Sequence, residues 1–181
     1  MTKGTVYVDG ATLRENPGIG GAGVVLTING EKFTLAEKLG YVSNNVAEYQ
    51  ALIKGLILAI DHNVDFLVVY SDSKLIVNQM NGRWKVKHKD MKKLHDRAAA
   101  LARNLKGVEY KWIPREQNTE ADELSKIAVG SRKPSAEPVE DKKVVVEIVN
   151  NSGKILVKEK KGKDGEKVII ITCLGETDHE G

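Results

Sequence analysis

Residues 4–9 alternate Val6 and Val8 with Tyr7 and Asp9, the period-two pattern of a half-buried strand. A glycine-rich stretch follows and reads as a loop, and residues 23–28 (Gly-Val-Val-Leu-Thr-Ile) read as a second strand. Asn29-Gly30 is a strong two-residue hairpin signal, so residues 32–39 return as a third. The period then lengthens: Val46, Tyr49, Leu52, Ile53, Leu56, Ile57 and Ile60 make one helical stripe. A continuous apolar run at 66–71 is a buried strand, and residues 73–80 suit a short helix. Met91, Leu94, Ala98, Leu101 and Leu105 form a second helical stripe, and the strand at 108–113 is stopped by Pro114. Asn118 or Thr119 can cap a last helix carrying Ala121, Leu124, Ser125 and Ala128. The order βββαβααβα predicts an α/β fold: a mixed five-stranded sheet, three antiparallel strands plus parallel ones, flanked by helices.

From 131 to 141 the composition shifts to prolines and charges, which reads as a linker. Beyond it, apolar runs at 144–149, 155–160 and 168–174 predict a small three-stranded β-meander. The expected division is a body over 1–130, a linker over 131–142, a β extension over 143–175 and a tail over 176–181. About thirty residues in three strands scarcely make a core of their own, so the meander is expected to dock on the body or on another chain. Ten basic and ten acidic residues after position 130 leave that part neutral, which favours docking over a nucleic-acid contact.

At 181 residues the chain suits one good core with an appendage. No apolar run approaches the ~20 residues of a membrane span, and Met1 leads almost directly into a strand, so neither a membrane segment nor a signal peptide is expected. The single cysteine, Cys173, excludes an intrachain disulfide and fits a reducing, cytoplasmic compartment. Net charge is +3, but it is unevenly placed. Residues 83–106 hold nine Lys or Arg against Asp90 and Asp96, a local excess of seven, with Trp84 among them. Such a face suits a polyanion.

Gly18-Ile-Gly-Gly-Ala-Gly23 matches a dinucleotide-binding fingerprint letter by letter. That fingerprint must open a helix, whereas these glycines run into a strand, so nucleotide binding is rejected. Backbone permissiveness is the expected reason for them: a turn, then a strand that lets something approach closely.

Four acids are harder to explain. Asp9 and Asp72 end apolar runs, and Glu48 and Asp122 fall near helix starts. Singly, each has an ordinary reading: Glu48 as half of a capping box with Asn45, Asp72 as a cap, Asp122 as an i+4 partner of Lys126. Asp9 resists it, because a carboxylate on a central strand is costly to bury. Jointly, parallel strands ending in Asp9 and Asp72 would bring all four to one sheet edge, where only cations would hold them together. Oxygen ligands select Mg²⁺, with Mn²⁺ as a substitute, over zinc. Two such ions about 4 Å apart suit phosphodiester cleavage.

Tyr7-Val-Asp-Gly10, Asn44-Asn-Val-Ala-Glu-Tyr-Gln-Ala-Leu52, Tyr70-Ser-Asp-Ser73 and Asn118-Thr-Glu-Ala-Asp-Glu-Leu124 together resemble type 1 ribonuclease H, over roughly residues 3–129. The resemblance implies a ribonuclease H-like fold and an endonuclease cutting the RNA strand of RNA/DNA hybrids, leaving 5′-phosphate and 3′-hydroxyl ends. It implies metal-binding, catalytic roles for Asp9, Glu48, Asp72 and Asp122, with Glu48 also near the ribose 2′-hydroxyl. Substrate contacts implied are Gly10, Ala11 and Thr12, the amides of Asn44 and Asn45, Ser43 at a DNA-strand phosphate, and Lys87 and His88. Arg115 and Asn118 are added from the loop before the last carboxylate. Many relatives carry a His in that loop; here Arg115 and Glu116 are the available substitutes. Alternatives are a nuclease of this fold acting on double-stranded RNA or branched DNA, or a silent binding module. A monomer is expected.

Overall fold

The computed structural model describes residues 1–131 in full, together with the backbone of three later strands. All of the expected linker after Ser131, the tail and the turns of the extension lie outside the described residues. In chain order the elements are β1 (Lys3–Leu13), β2 (Gly18–Ile28), β3 (Glu31–Val42), α1 (Asn44–Asp61), β4 (Phe66–Ser71), α2 (Lys74–Met80), α3 (Lys89–Ala102), β5 (Gly107–Trp112) and α4 (Thr119–Ala128). The later strands are β6 (Val144–Asn150), β7 (Gly153–Lys161) and β8 (Lys167–Leu174).

The body sheet has the order β5-β4-β1-β2-β3, and the sheet continues beyond β3 as β8-β7-β6. β1 pairs antiparallel with β2 and parallel with β4, and β4 pairs parallel with β5. This is the predicted mixed sheet. β8 runs parallel to β3 at Phe33↔Lys167 and Thr34↔Val168. The Asn29-Gly30 hairpin forms as read, with φ of 51° and 84°.

One expectation is corrected. The glycine-rich stretch is strand, not loop: β1 passes through Asp9 to Leu13 and returns along Gly18–Ile28, with Asp9 opposite Gly23. Asp9 therefore lies mid-strand. Glycines carry no alternation to read, so the sequence hides a strand whose register is set by what packs on it.

Helix α1 covers one face of the sheet. Val6, Val8, Val24, Leu26 and Val69 meet Leu52, Ile53 and Leu56 of α1, with Met91 and Ala98 of α3 and Ile76 of α2 closing the core. Tyr49 Oη donates to Gln79 Oε1 (2.7 Å) within that core, tying α1 to α2. Helix α4 contacts β1, β2 and β3. It approaches so closely that a Cβ on Gly23 would lie 2.0 Å from the Ala121 carbonyl oxygen, and one on Gly21 2.5 Å from that of Ser125. Close approach is thus the reason for the glycines.

Candidate metal centre

The parallel β1–β4 ladder ends at Tyr7↔Tyr70, whose rings stack with centroids 4.8 Å apart. Asp9 stands two residues further along β1, on the side of the Tyr7 ring, because side chains alternate along strands, and Asp72 follows directly on the end of β4. Glu48 arrives from the second turn of α1. Its approach depends on Gly10, where a Cβ would lie 2.2 Å from both the Ala47 carbonyl carbon and the Glu48 nitrogen. Asp9, Glu48 and Asp72 each bring one oxygen to a point where all three lie within 4.8 Å of one another.

The capping explanations for these acids fail. Ser43 caps α1, its Oγ accepting from the Val46 amide (3.3 Å), while Glu48 accepts from the Gly10 amide (3.2 Å). Ser73 caps α2 and leaves Asp72 free for the cluster.

Burial pushes the Asp9 carboxyl up to about 7, against its hydrogen bond from Ser125, with Asp72 and Asp122 adding repulsion. Burial also holds Glu48 well above the usual carboxylate range, reinforced by Asp9 and Asp72. Two buried carboxyls that resist ionisation are what a hard divalent ion would stabilise in their charged form. The donor set fits Mg²⁺ or Mn²⁺ and offers no sulfur or imidazole.

Asp122 is placed differently from the expectation that it joins the other three. Its Oδ1 accepts from Arg115 Nη2 (2.5 Å), and its Oδ2 from Lys126 Nζ. Burial raises its carboxyl, but Lys126 and Arg115 outweigh burial and hold it below the usual range. The pairing with Lys126, first read as an ordinary surface pair, is real and sits at the rim of the site.

Two residues hold the acids in place. Ser125, fully buried on α4, donates its hydroxyl to Asp9 Oδ2 or to the Asp122 carbonyl oxygen (2.8 Å for the latter). It was missed, although a serine in an otherwise apolar helical stripe was a visible signal. Asn118 was read as a substrate contact, and that is corrected. It is 1% exposed, and its Nδ2 is within 3.0 Å of both the Val8 carbonyl and Asp72 Oδ1. It precedes α4 without capping it, because its side chain turns into the sheet.

Of the other expected contacts, Gly10, Ala11, Thr12, Asn44 and Arg115 line one cleft of about 270 Å³ with Asp9, Glu48 and Asp72. Arg14 and Lys126 line it too, and were not foreseen. The Gly10 amide is occupied by Glu48 and the Asn44 amide by Asn16 Oδ1 (2.9 Å), so neither is a free donor as expected. Asn45 is exposed, and Ser43 spends its oxygen on the helix cap. Lys87 and His88 are exposed between α2 and α3 and do not line the cleft.

The family described as reverse transcriptase-like matches residues 7–128. Bifunctional protein Rv2228c of Mycobacterium tuberculosis is 43% identical over 137 residues, covering 74% of this chain. The chain spans only 37% of the length of that protein. Ribonuclease HI of Halobacterium salinarum is 35% identical over 126 residues, 68% of this chain and 62% of that one. Among solved structures, the N-terminal RNase H domain of Rv2228c, fused to maltose binding protein, superposes with a TM-score of 0.65 at 41% identity, covering 70% of this chain and 98% of that one. LC11-RNase H1, isolated from compost and solved in complex with an RNA/DNA hybrid, gives 0.65 at 38% identity, covering 71% and 97%.

Proposed function

Because this chain belongs to the type 1 ribonuclease H family, we propose that it hydrolyses the RNA strand of RNA/DNA hybrids, leaving 5′-phosphate and 3′-hydroxyl ends. One observation carries the reading: three carboxylates, two of them buried, converge within 4.8 Å at the end of a parallel strand pair. The relative solved with a hybrid bound supports the choice of substrate.

Asp9, Glu48 and Asp72 would hold divalent ions, Mg²⁺ first and Mn²⁺ as a substitute, with Asp122 joining once Arg115 and Lys126 release it. Bound ions supply Lewis acidity, activating water as the nucleophile and stabilising charge on the departing 3′ oxygen. Ser125 and Asn118 hold Asp9 and Asp72 in the orientations the site requires. Glu48 lies beside Gly10 at the cleft, where it can face a ribose 2′-hydroxyl, the group that separates RNA from DNA. Arg115 is the cation supplied by the loop before the last carboxylate, which carries no histidine, and it would neutralise the cleaved phosphate as the product leaves. The single cysteine and the absence of a long apolar run favour a cytoplasmic setting, and a monomer is the simplest active form.

The test is cleavage of matched RNA/DNA hybrid, RNA duplex and DNA duplex in Mg²⁺. Only the RNA of the hybrid should be cut; cutting of DNA strands would sink the reading. Asp72→Asn should lower the rate about a thousand-fold or more while hybrid affinity holds, since a lost ion ligand removes several kcal/mol of transition-state stabilisation.

A further inference from the structure

A second feature lies beside Asp72 and supplies no oxygen to the acid cluster. Between α2 and the outer strand β5 runs an open groove of about 470 Å³, walled by Lys74, Asn78, Asn81, Arg83, Lys111 and Trp112. None of its lining residues is acidic. Lys111 is partnered by Glu109 (2.9 Å), so Lys74 and Arg83 are the cations facing the groove.

The walls are fixed from within. Asn78 Nδ2 donates to the Lys74 carbonyl (2.8 Å), and Asn81 Nδ2 to the Tyr110 carbonyl (3.0 Å). Trp112 donates its indole N–H to the carbonyl of Asp72 (3.0 Å), which fixes the ring beside the backbone of that residue. The ring is nevertheless 44% exposed, and Lys74 Nζ stands 4.7 Å from its centroid. A large indole half in water, oriented by its bond to a backbone carbonyl and flanked by cations, has the composition of a stacking platform for a nucleic-acid strand.

We propose that this groove takes the single-stranded continuation of the cut strand where it leaves the duplex, one base stacking on Trp112 and its phosphates meeting Lys74 and Arg83. The inference rests on the hybrid-cleaving reading. The cut strand is chosen over its complement because Trp112 is tied to Asp72, one of the acids under the scissile bond. Stacking is sequence-tolerant, and the lysine and arginine recognise phosphate alone, so the groove accepts an RNA or a DNA tail.

The experiment compares short hybrids with blunt ends, with a tail on the RNA strand at either end, made of RNA or of DNA, and with a tail on the DNA strand. A tail on the RNA strand at one end should lower KM on the order of five-fold, given what stacking of one base contributes. Arg83→Glu should abolish that advantage, read as the ratio of KM for blunt and tailed hybrid measured with the same variant. In the Trp84→Phe protein, Trp112 is the remaining tryptophan of two. Its fluorescence should be quenched by the tailed hybrid and not by the blunt one. Equal KM with and without tails, or an advantage confined to tails on the DNA strand, or one that survives Arg83→Glu, would overturn the proposal. Failure to cut the blunt hybrid would instead count against the activity itself, and Trp112 quenching by tails would still report on the groove.

Discussion

Asp9 occupies a position where a charged carboxylate is expensive. It sits mid-strand, beneath α4, with the Ser125 hydroxyl on one oxygen and three further acids nearby. In an unfolded chain this carboxyl ionises near 3.8, whereas in the metal-free fold it holds its proton up to about 7. Between those values the unfolded state has released a proton that the folded state keeps, so Asp9 subtracts stability as pH rises from about 4 to 7, and the loss then levels off. Asp9→Asn removes the charge and keeps the shape. The melting temperature of the metal-free variant should therefore exceed that of the parent by a margin that is small near pH 4 and grows to roughly 10 °C by pH 8, since each pKa unit is worth about 1.4 kcal/mol. Saturating Mg²⁺ should shrink the margin at pH 8 by stabilising only the parent. A margin independent of pH would mean that the burial of Asp9 is not what shifts it.

The elements meet at this site because glycines let them. Asp9 faces Gly23 across the β1–β2 ladder, and α4 lies directly on that glycine. Gly23→Ala would drive a methyl group into the Ala121 carbonyl and push α4 away, carrying Ser125 off Asp9. The expected cost is about 3 kcal/mol or more, with loss of Mg²⁺-induced stabilisation, read by chemical denaturation with and without the ion. Gly30→Ala is the control: nothing lies within 4 Å of the added methyl, and its φ of 84° limits the penalty to roughly 1 kcal/mol. Equal costs would show that α4 is not seated as described. The same glycines mark where reading the sequence stops. Val6 and Val8 announce β1, and the Leu52-Ile53-Leu56 stripe announces α1, because apolar periodicity is written in side chains. Residues 18–23 carry almost none, so the strand they form was legible only once α4 was in place. The three clustered acids were legible because strand order brings Asp9 beside Asp72. Asn118 was misassigned because a polar residue just before a helix gives the same signal whether it caps the helix, contacts a ligand or turns into the sheet. The partners of Asp122 were half visible: Lys126 by its i+4 spacing, Arg115 only through the fold of the intervening turn.

Across the whole molecule, charge and sheet edges divide the work. The acids lie at one end of the β1–β4 ladder. The basic segment runs along α3, where Lys92–Asp96 and Lys93–Asp90 pairs are exposed and contribute little to stability. The remaining edge of the body is β3, whose outer side meets β8 at Phe33 and Thr34. An open β3 edge would offer unpaired backbone groups to other chains, so a covering strand there protects the body from edge-to-edge association. We propose that residues 131–181 serve this structural purpose and take no part in binding the hybrid. Their ten basic and ten acidic side chains cancel, which gives a polyanion nothing to prefer. A chain ending at Gly130 should keep its KM for blunt hybrid within about two-fold and keep the same salt dependence of binding. It should melt several degrees lower and form larger species as concentration rises, measured by light scattering. Weaker hybrid binding with an unchanged melting temperature would place the extension on the substrate instead.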